Sequence, residues 1–226
     1  MGTHGAFDNE SPVEVTLSSG FWLGETELTQ GQWQKLMGTI PWQGQNSVKE
    51  GDDYAASYIG YGDAVALCNA LTQQERNAGR LPNGWKYGLP TEAQWEYACR
   101  AGTTTKFSFG DSESELSEYG WWGGTFGDGN AQTEQYAHQV GRKKPNEWGL
   151  MDMHGNVYEW CSDWYEEKLV GGRDPVGTDS GSYRVNRGGG WYFIEDGCRS
   201  AKRNFFAPDT RVNGLGFRLA AVPVSD

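Results

Sequence analysis

Polar and apolar residues alternate along Val13-Glu14-Val15-Thr16-Leu17 and again from Phe21 to Leu28, the period-two pattern of half-buried strands. The period then changes. Thr29 offers the oxygen of an N-cap, and Trp33, Leu36 and Met37 recur at helical spacing through Gln30 to Met37. A Gly-, Gln- and Asp-rich stretch from Gly38 to Gly60 predicts a loop. Asp63 is expected to start a second helix reaching Arg80, with Ala64, Leu67, Cys68 and Leu71 on one face. Leu81-Pro82-Asn83-Gly84 is turn chemistry ahead of a short strand, Trp85 to Leu89. Pro90 and Thr91 open a third helix, with Thr91 as N-cap and Gln94 at the third position of a capping box. Its buried face is Trp95, Ala98 and Cys99, and Gly102 ends it.

From Thr103 to Pro145 the pattern is irregular, and the acidic run Asp111 to Glu118 reads as a solvated loop rather than an acidic partner site. Residues 149–165 and 183–193 read as turn-rich strands, and Leu215 to Val222 as a last strand. Short helices among many loops, with no repeat and no Pro/Ser linker, predict a single α+β domain over residues 1–226. With 33 Gly and 11 Trp in 226 residues, the fold should be tight-turned around an aromatic core. The mean hydropathy of −0.70 does not suggest disorder. A net charge of −11 argues against nucleic acid as a partner, and the basic run Gly141 to Lys144 reads as a solvated loop. No apolar run approaches the ~20 residues of a membrane span. The chain shows no signal peptide; export or surface display is expected only if a further segment precedes Met1. A monomer is expected.

Candidate chemistry is sparse. Cys68, Cys99, Cys161 and Cys198 form no CxxC pair, so a structural zinc site is not expected. They allow two disulfides in three pairings, or four reduced core thiols, and the spacing does not choose. His4, His138 and His154 fit no HxxxH or HExxH pattern, and His154 reads as a packed or capping residue. No GxSxG elbow or P-loop occurs, and Gly188-Gly189-Gly190 precedes no helix. The run Asp152-Met153-His154-Gly155-Asn156-Val157-Tyr158-Glu159 sets two carboxylates around a Gly-containing turn. That composition suits calcium, which gathers carboxylate and backbone oxygens; the bland reading is that Asn156 and Glu159 hydrogen-bond neighbouring loops.

Five blocks fall in order: LPTEAQWEYACRAG (89–102), GLMDMHGNVYEWCSDWY (149–165), RVNRGGGW (184–191), CRSAKR (198–203) and LGFRLA (215–220). In this the chain resembles the sulfatase-modifying-factor family, whose founding members are the formylglycine-generating enzymes. The resemblance implies a C-type-lectin-like fold. It also implies a structural calcium held by side-chain oxygens of Asp152 and Glu159 and carbonyls of Gly155 and Val157. The family's second calcium site falls in the region of Tyr119 to Ala137, where the chain differs, and is not expected. In the copper-using oxidases of the family, a Gly-Gly-Ser-Tyr block is followed by two cysteines five residues apart. Here Gly190 replaces the serine, Phe193 stands at the first cysteine position, and Cys198 belongs to the CRSA block. An aromatic ring neither ligates Cu(I) nor exchanges with a disulfide. No copper and no formylglycine generation are expected.

What remains is a surface. Between the landmarks Gly189, Trp191, Cys198-Arg199-Ser200-Ala201, Arg203, Pro208-Asp209, Arg211 and Gly216-Phe217-Arg218 lie Tyr192, Phe193, Ile194, Glu195, Gly197, Lys202, Asn204, Phe205, Phe206, Ala207, Thr210, Val212, Asn213 and Gly214. The layout resembles the variable region of diversity-generating retroelement proteins, which places a candidate variable, ligand-binding region at 188–218. Tyr192, Phe193, Phe205 and Phe206 would form a binding patch if exposed together, or core if not. The expected function is non-catalytic binding of a protein or other macromolecular ligand. The alternatives are an enzyme of the same family using Arg187, Arg199, Glu195 or Asp196, and a cell-envelope accessory protein.

Overall fold

A computed structural model describes residues 1–3, 7–123 and 134–224. The expected helix positions are realised by their capping groups. Following β1 (Val15–Thr16) and β2 (Trp22–Leu23), helix α1 (Gln30–Met37) begins at Thr29, whose hydroxyl accepts from the Gln32 amide while the Gln32 side chain accepts from the Thr29 amide. Helix α2 (Tyr61–Asn77) starts two residues ahead of Asp63, because the Asp63 carboxylate reaches back to the Gly60 amide at 3.1 Å. After β3 (Trp85–Gly88), α3 (Glu92–Arg100) opens on the box formed by Thr91 and Gln94. It ends at Ala101, in a left-handed conformation at φ +47°, one residue before Gly102.

The acidic run departs from the expected open loop. A 3-10 turn (Glu113–Glu115) leads into α4 (Leu116–Tyr119), because Leu116 is fully buried against Phe107 and Cys198. The run also meets the basic stretch: Lys144 pairs with Glu118, and the Lys143 ammonium donates to the Ser117 carbonyl at 2.6 Å.

The remaining strands are β4 (Tyr158–Trp164), β5 (Gly172–Arg173), β6 (Arg184–Arg187), β7 (Asn204–Phe206), β8 (Leu215–Gly216) and β9 (Ala220–Pro223). They build a four-stranded sheet in the order β7-β6-β4-β8, a three-stranded sheet in the order β2-β9-β3 and a parallel pair β1-β5. The last strand of the reading is thus two: β8 pairs parallel to β4, and the chain crosses over to lay β9 antiparallel between β2 and β3. The main core lies between α1, α2 and the sheets, where Trp33, Trp42, Ile59, Leu67, Trp160 and Phe217 meet. A second cluster of Trp95, Cys99, Met153, Cys161 and Val185 seats α3 on β4 and β6.

Charge is buried beside that second cluster. Arg203 grips Glu92 bidentately at 2.7 and 2.8 Å, and Arg187 reaches Glu96 and lies 3.5 Å from Glu92. Asp163 accepts from the Glu92 amide at 2.8 Å, at the start of α3. Burial, reinforced by the Glu92 charge, pushes the Asp163 carboxyl up to about 7. Because the folded value exceeds the unfolded one, the folded state holds the extra proton between them. The stabilising contribution is therefore complete below about pH 4 and lost as pH rises through 7. Asp163→Asn keeps the acceptor and removes the charge. In urea unfolding it should gain on the wild type by on the order of a few kcal/mol between pH 5 and 8, and match it near pH 4.

Candidate functional site

The C-terminal third sorts into two sets by burial. Of the landmark residues, Gly189, Trp191, Cys198, Arg199, Ser200, Ala201, Arg203, Gly216, Phe217 and Arg218 are all buried. Of the residues between them, Ile194 and Phe205 are exposed, and Tyr192, Phe193, Glu195, Lys202, Asn204, Phe206, Ala207, Thr210, Val212 and Asn213 are half-buried; Gly197 and Gly214 are enclosed. Pro208, Asp209 and Arg211 depart from the landmark set in reaching the surface, where Arg211 pairs with Asp63 at 2.6 Å.

The four aromatic positions do not make one patch. β7 alternates, so Phe206 turns inward and Phe205 outward. Phe206 and Phe193 both meet the buried Tyr158 edge-on, with ring centroids 6.4 and 5.0 Å away. Tyr192 lies 4.6 Å from Phe193 and covers Gly214, where any Cβ would collide with its ring at 2.1 Å. This first group, Tyr192–Phe193–Phe206, is core on one side and surface on the other. Phe205 belongs to a second group with Tyr165 and Tyr183, at 4.1 and 5.1 Å. Lys202 is directed elsewhere again: its ammonium sits 4.0 Å over the Phe7 ring and within 4 Å of Asp196 and Glu10.

Four buried arginines hold the frame behind these side chains. Arg199 grips Glu10 at 2.7 and 3.2 Å and Asp196 at 2.7 and 3.3 Å. Arg218 grips Glu159 at 2.6 and 2.7 Å and donates to the carbonyls of Gly24 and Met151. Arg187 and Arg203 reach α3 as described. Arg187 is completely enclosed and Arg199 nearly so, each already paired with carboxylates, which leaves neither open to a substrate.

All four thiols are free and buried. Burial pushes Cys68, Cys99 and Cys198 up to about 12, and Cys161 well above its ordinary value. Cys198 packs under Gly189 beside Phe107, while Phe193 occupies the surface position where the oxidases carry a cysteine. The described residues thus offer no accessible thiolate. His154 is a structural residue: Nδ1 faces the Cys198 carbonyl at 2.8 Å, and Nε2 takes the Ser108 amide and hydroxyl at 3.1 and 2.9 Å. Burial lowers its pKa to about 4, so the ring is neutral. His138 stacks flat on Trp121 at 4.0 Å. His4 lies outside the described residues, as do positions 124–133 of the region where the family's second calcium site falls.

Of the residues expected to hold calcium, Glu159 carries a compensating guanidinium and a third donor, the Trp95 indole N–H at 2.7 Å. Gly155, at φ +123°, packs against the Trp121 carbonyl so closely that a Cβ would lie 2.2 Å from it. Val157 is buried with Ala55, Ala137 and Trp191. Asp152 directs one oxygen to the Gly141 amide at 2.7 Å; its other oxygen has no hydrogen-bond partner. Glu27, which the sequence reading passed over, has no partner for either oxygen. The only sequence signal for it was a charged residue at an inward position of an alternating strand.

The small curled sheets, the short helices and the loop-rich C-terminal third define a formylglycine-generating-enzyme-like, C-type-lectin-like fold. The Sulfatase-modifying factor enzyme 1-like domain matches residues 1–222, and the chain belongs to that family. It is 33% identical to Treponema denticola variable protein 1, with a TM-score of 0.83 over 98% of this chain and 91% of that one. The structure of PvdO from Pseudomonas aeruginosa gives 26% identity and a TM-score of 0.80 over 98% and 89%. The formylglycine-generating enzyme of Mus musculus is 32% identical over 193 residues, 80% of this chain and 48% of that protein. The chain therefore spans about half the length of that enzyme. No helix among the described residues is long and apolar enough to cross a membrane.

Two outcomes follow. In the native protein no cysteine should react with a disulfide reagent within minutes, whereas all four should react in denaturant. Arg218→Met strands the buried Glu159 charge and should cost about 3–5 kcal/mol in chemical unfolding.

Proposed function

We infer that this chain is a non-catalytic binding protein that displays interchangeable side chains from a fixed frame, in the manner of retroelement-diversified variable proteins. The observation that carries the reading is the division of residues 188–218. Most landmark positions are buried, many of them in ion pairs or core, while the positions between them reach solvent almost without exception. A frame whose folding determinants point inward tolerates change at the residues that point outward. The likeness to Treponema denticola variable protein 1 along nearly the whole of both chains supports the same reading.

The ligand class follows from the surface. Tyr192, Phe193 and Ile194 give a stiff, partly apolar ridge, with Glu195, Thr210, Val212 and Asn213 supplying adaptable contacts. Aromatic residues contribute contact area at low entropic cost, the pattern of protein-recognising paratopes. A macromolecular, protein-like ligand suits this surface better than a small molecule. The enzyme reading draws less support, because Arg187 and Arg199 are engaged in ion pairs and the four thiols are buried.

Deep sequencing of the 3′ end of this gene across a population of its source cells tests the reading. Substitutions should concentrate at Tyr192 to Ile194, Asn204 to Ala207 and Thr210 to Asn213, with Arg199, Arg203 and Arg218 fixed. A uniform sequence would contradict diversification.

A further inference from the structure

Strand β2 has a neighbour on one side only, because its sheet runs in the order β2-β9-β3. Trp22 pairs with Ala221 and Leu23 with Ala220, and the Gly24 amide donates to the Leu219 carbonyl at 2.7 Å. In an antiparallel ladder, alternate residues turn their backbone groups to the same side. Trp22 and Gly24 therefore bond towards β9. Phe21 and Leu23 turn their N–H and C=O groups away from it, two residues or about 7 Å apart. None of these four groups meets a hydrogen-bond partner among the described residues. An unpaired edge of this kind is a template for another strand.

β2 also forms one wall of a groove of about 660 Å³, whose other wall is α3 with Trp148 and Leu150. Three rings follow one another along it: Phe21 lies 6.4 Å from Tyr97, and Tyr97 lies 4.8 Å from Trp148. Tyr97 and Trp148 are exposed, and Trp22 on β2 is 74% exposed. Of the eleven tryptophans, Trp22 and Trp148 are the two that are exposed, and both line this groove. Large rings left in solvent around one concavity mark a binding site. None of residues 188–218 lines the groove, so it is separate from the surface proposed to vary.

Charge narrows the occupant. The one guanidinium that lines the groove, Arg100, is committed to Glu96 at 2.8 Å and to the carbonyls of Thr105 and Gly2. Glu96 is itself buried against Arg187. Glu14 and Glu147, next to the lining residues Val15 and Trp148, are exposed, and so is Glu25, two residues beyond Leu23. The groove thus joins an aromatic lining to an acidic rim, in a chain of net charge −11. Lysine and arginine side chains complement both, as counter-charges to the rim and as cations over the ring faces.

We propose that the open edge of β2 binds an extended, basic peptide segment of a partner protein. The segment adds to the sheet as a fourth strand beside β2, with Lys or Arg side chains against Tyr97, Trp148 and the acidic rim. Backbone bonds to Phe21 and Leu23 supply affinity, and the rings and rim select the charge of the partner. The groove needs nothing from residues 188–218, so a partner held there stays bound whatever those residues display.

The test pans a random library of phage-displayed peptides, about twelve residues long, against the whole folded chain. Enriched peptides are synthesised and their Kd is measured by fluorescence anisotropy. Their sequences should alternate Lys or Arg with β-branched or aromatic residues. Trp22→Ser, Tyr97→Ser and Trp148→Ser should each weaken binding about tenfold or more. Each should keep its Tm within about 3 °C of the wild type, because all three rings are exposed. Val176→Ser, an exposed position outside the groove, should leave Kd unchanged. Methylating alternate backbone nitrogens of the peptide removes the donors of one edge, so one register should weaken binding about tenfold and the other little. In hydrogen exchange, bound peptide should slow the Phe21 and Leu23 amides about tenfold or more. The proposal is overturned if no enriched peptide depends on Trp22, Tyr97 and Trp148, if those that do are acidic, or if both methylated registers bind alike. It is also overturned if the chain sediments as a dimer that Trp22→Ser makes monomeric, because a second copy then occupies the edge.

Discussion

The structure depends on a set of guanidinium–carboxylate clamps buried between the C-terminal third and the rest of the chain. Arg199 reaches Glu10 near the start, Arg203 and Arg187 reach Glu92 and Glu96 on α3, and Arg218 reaches Glu159 on β4. The C-terminal segment has only short strands, so backbone pairing alone holds little of it. Bidentate arginine contacts add direction as well as energy, because a planar fork fits a carboxylate in one orientation. Buried pairs need not be more stable than apolar packing, but removing one partner leaves a charge with nowhere to go. The clamps thus specify one arrangement of the irregular loops.

That constraint separates folding from display. The clamps and the core beneath them, Trp191, Cys198, Ser200, Leu215 and Phe217, take their specificity from residues that no ligand could touch. The side chains between them add little to the frame, except that Tyr192, Phe193, Phe206 and Val212 each pack against a buried cluster. Phe193 and Phe206 each lean on Tyr158, so changes there trade binding variety against some packing. Phe205 lies in a separate aromatic group with Tyr165 and Tyr183, which gives the surface two contact regions instead of a single patch.

Much of the frame was legible in the sequence because it rests on local rules. The N-cap at Thr29 and the capping box at Thr91 are local signals, and both helices begin where those residues place them, with Gln32 completing a box at Thr29 as well. The block order of the C-terminal third identified the fold for a different reason, since its spacing preserves the clamps. Other features were set by contacts distant in sequence. The split of the last strand into β8 and β9 follows from pairing with β4 on one side and with β2 and β3 on the other, and no local signal marks the crossover. Leu116 turned an acidic loop into a helix through burial against Phe107 and Cys198. The candidate surface was found by position, but its division into two groups depends on the alternation of β7. Glu27 was missed because its isolation is visible only once Arg218 is seen to be committed to Glu159.

The most direct measurement of the central claim is the folded fraction of a library randomised at Ile194, Glu195, Asn204, Phe205, Ala207, Thr210 and Asn213, scored by protease resistance on a display platform. A library randomised at Glu10, Glu92, Arg199 and Arg203 serves as the reference. The account predicts that most members of the first library fold, since substitutions at outward positions cost about 0.5 kcal/mol each, and that nearly all of the second fail. Equal failure in both libraries would contradict it, because the side chains between the clamps would then be part of the fold and not a surface laid upon it.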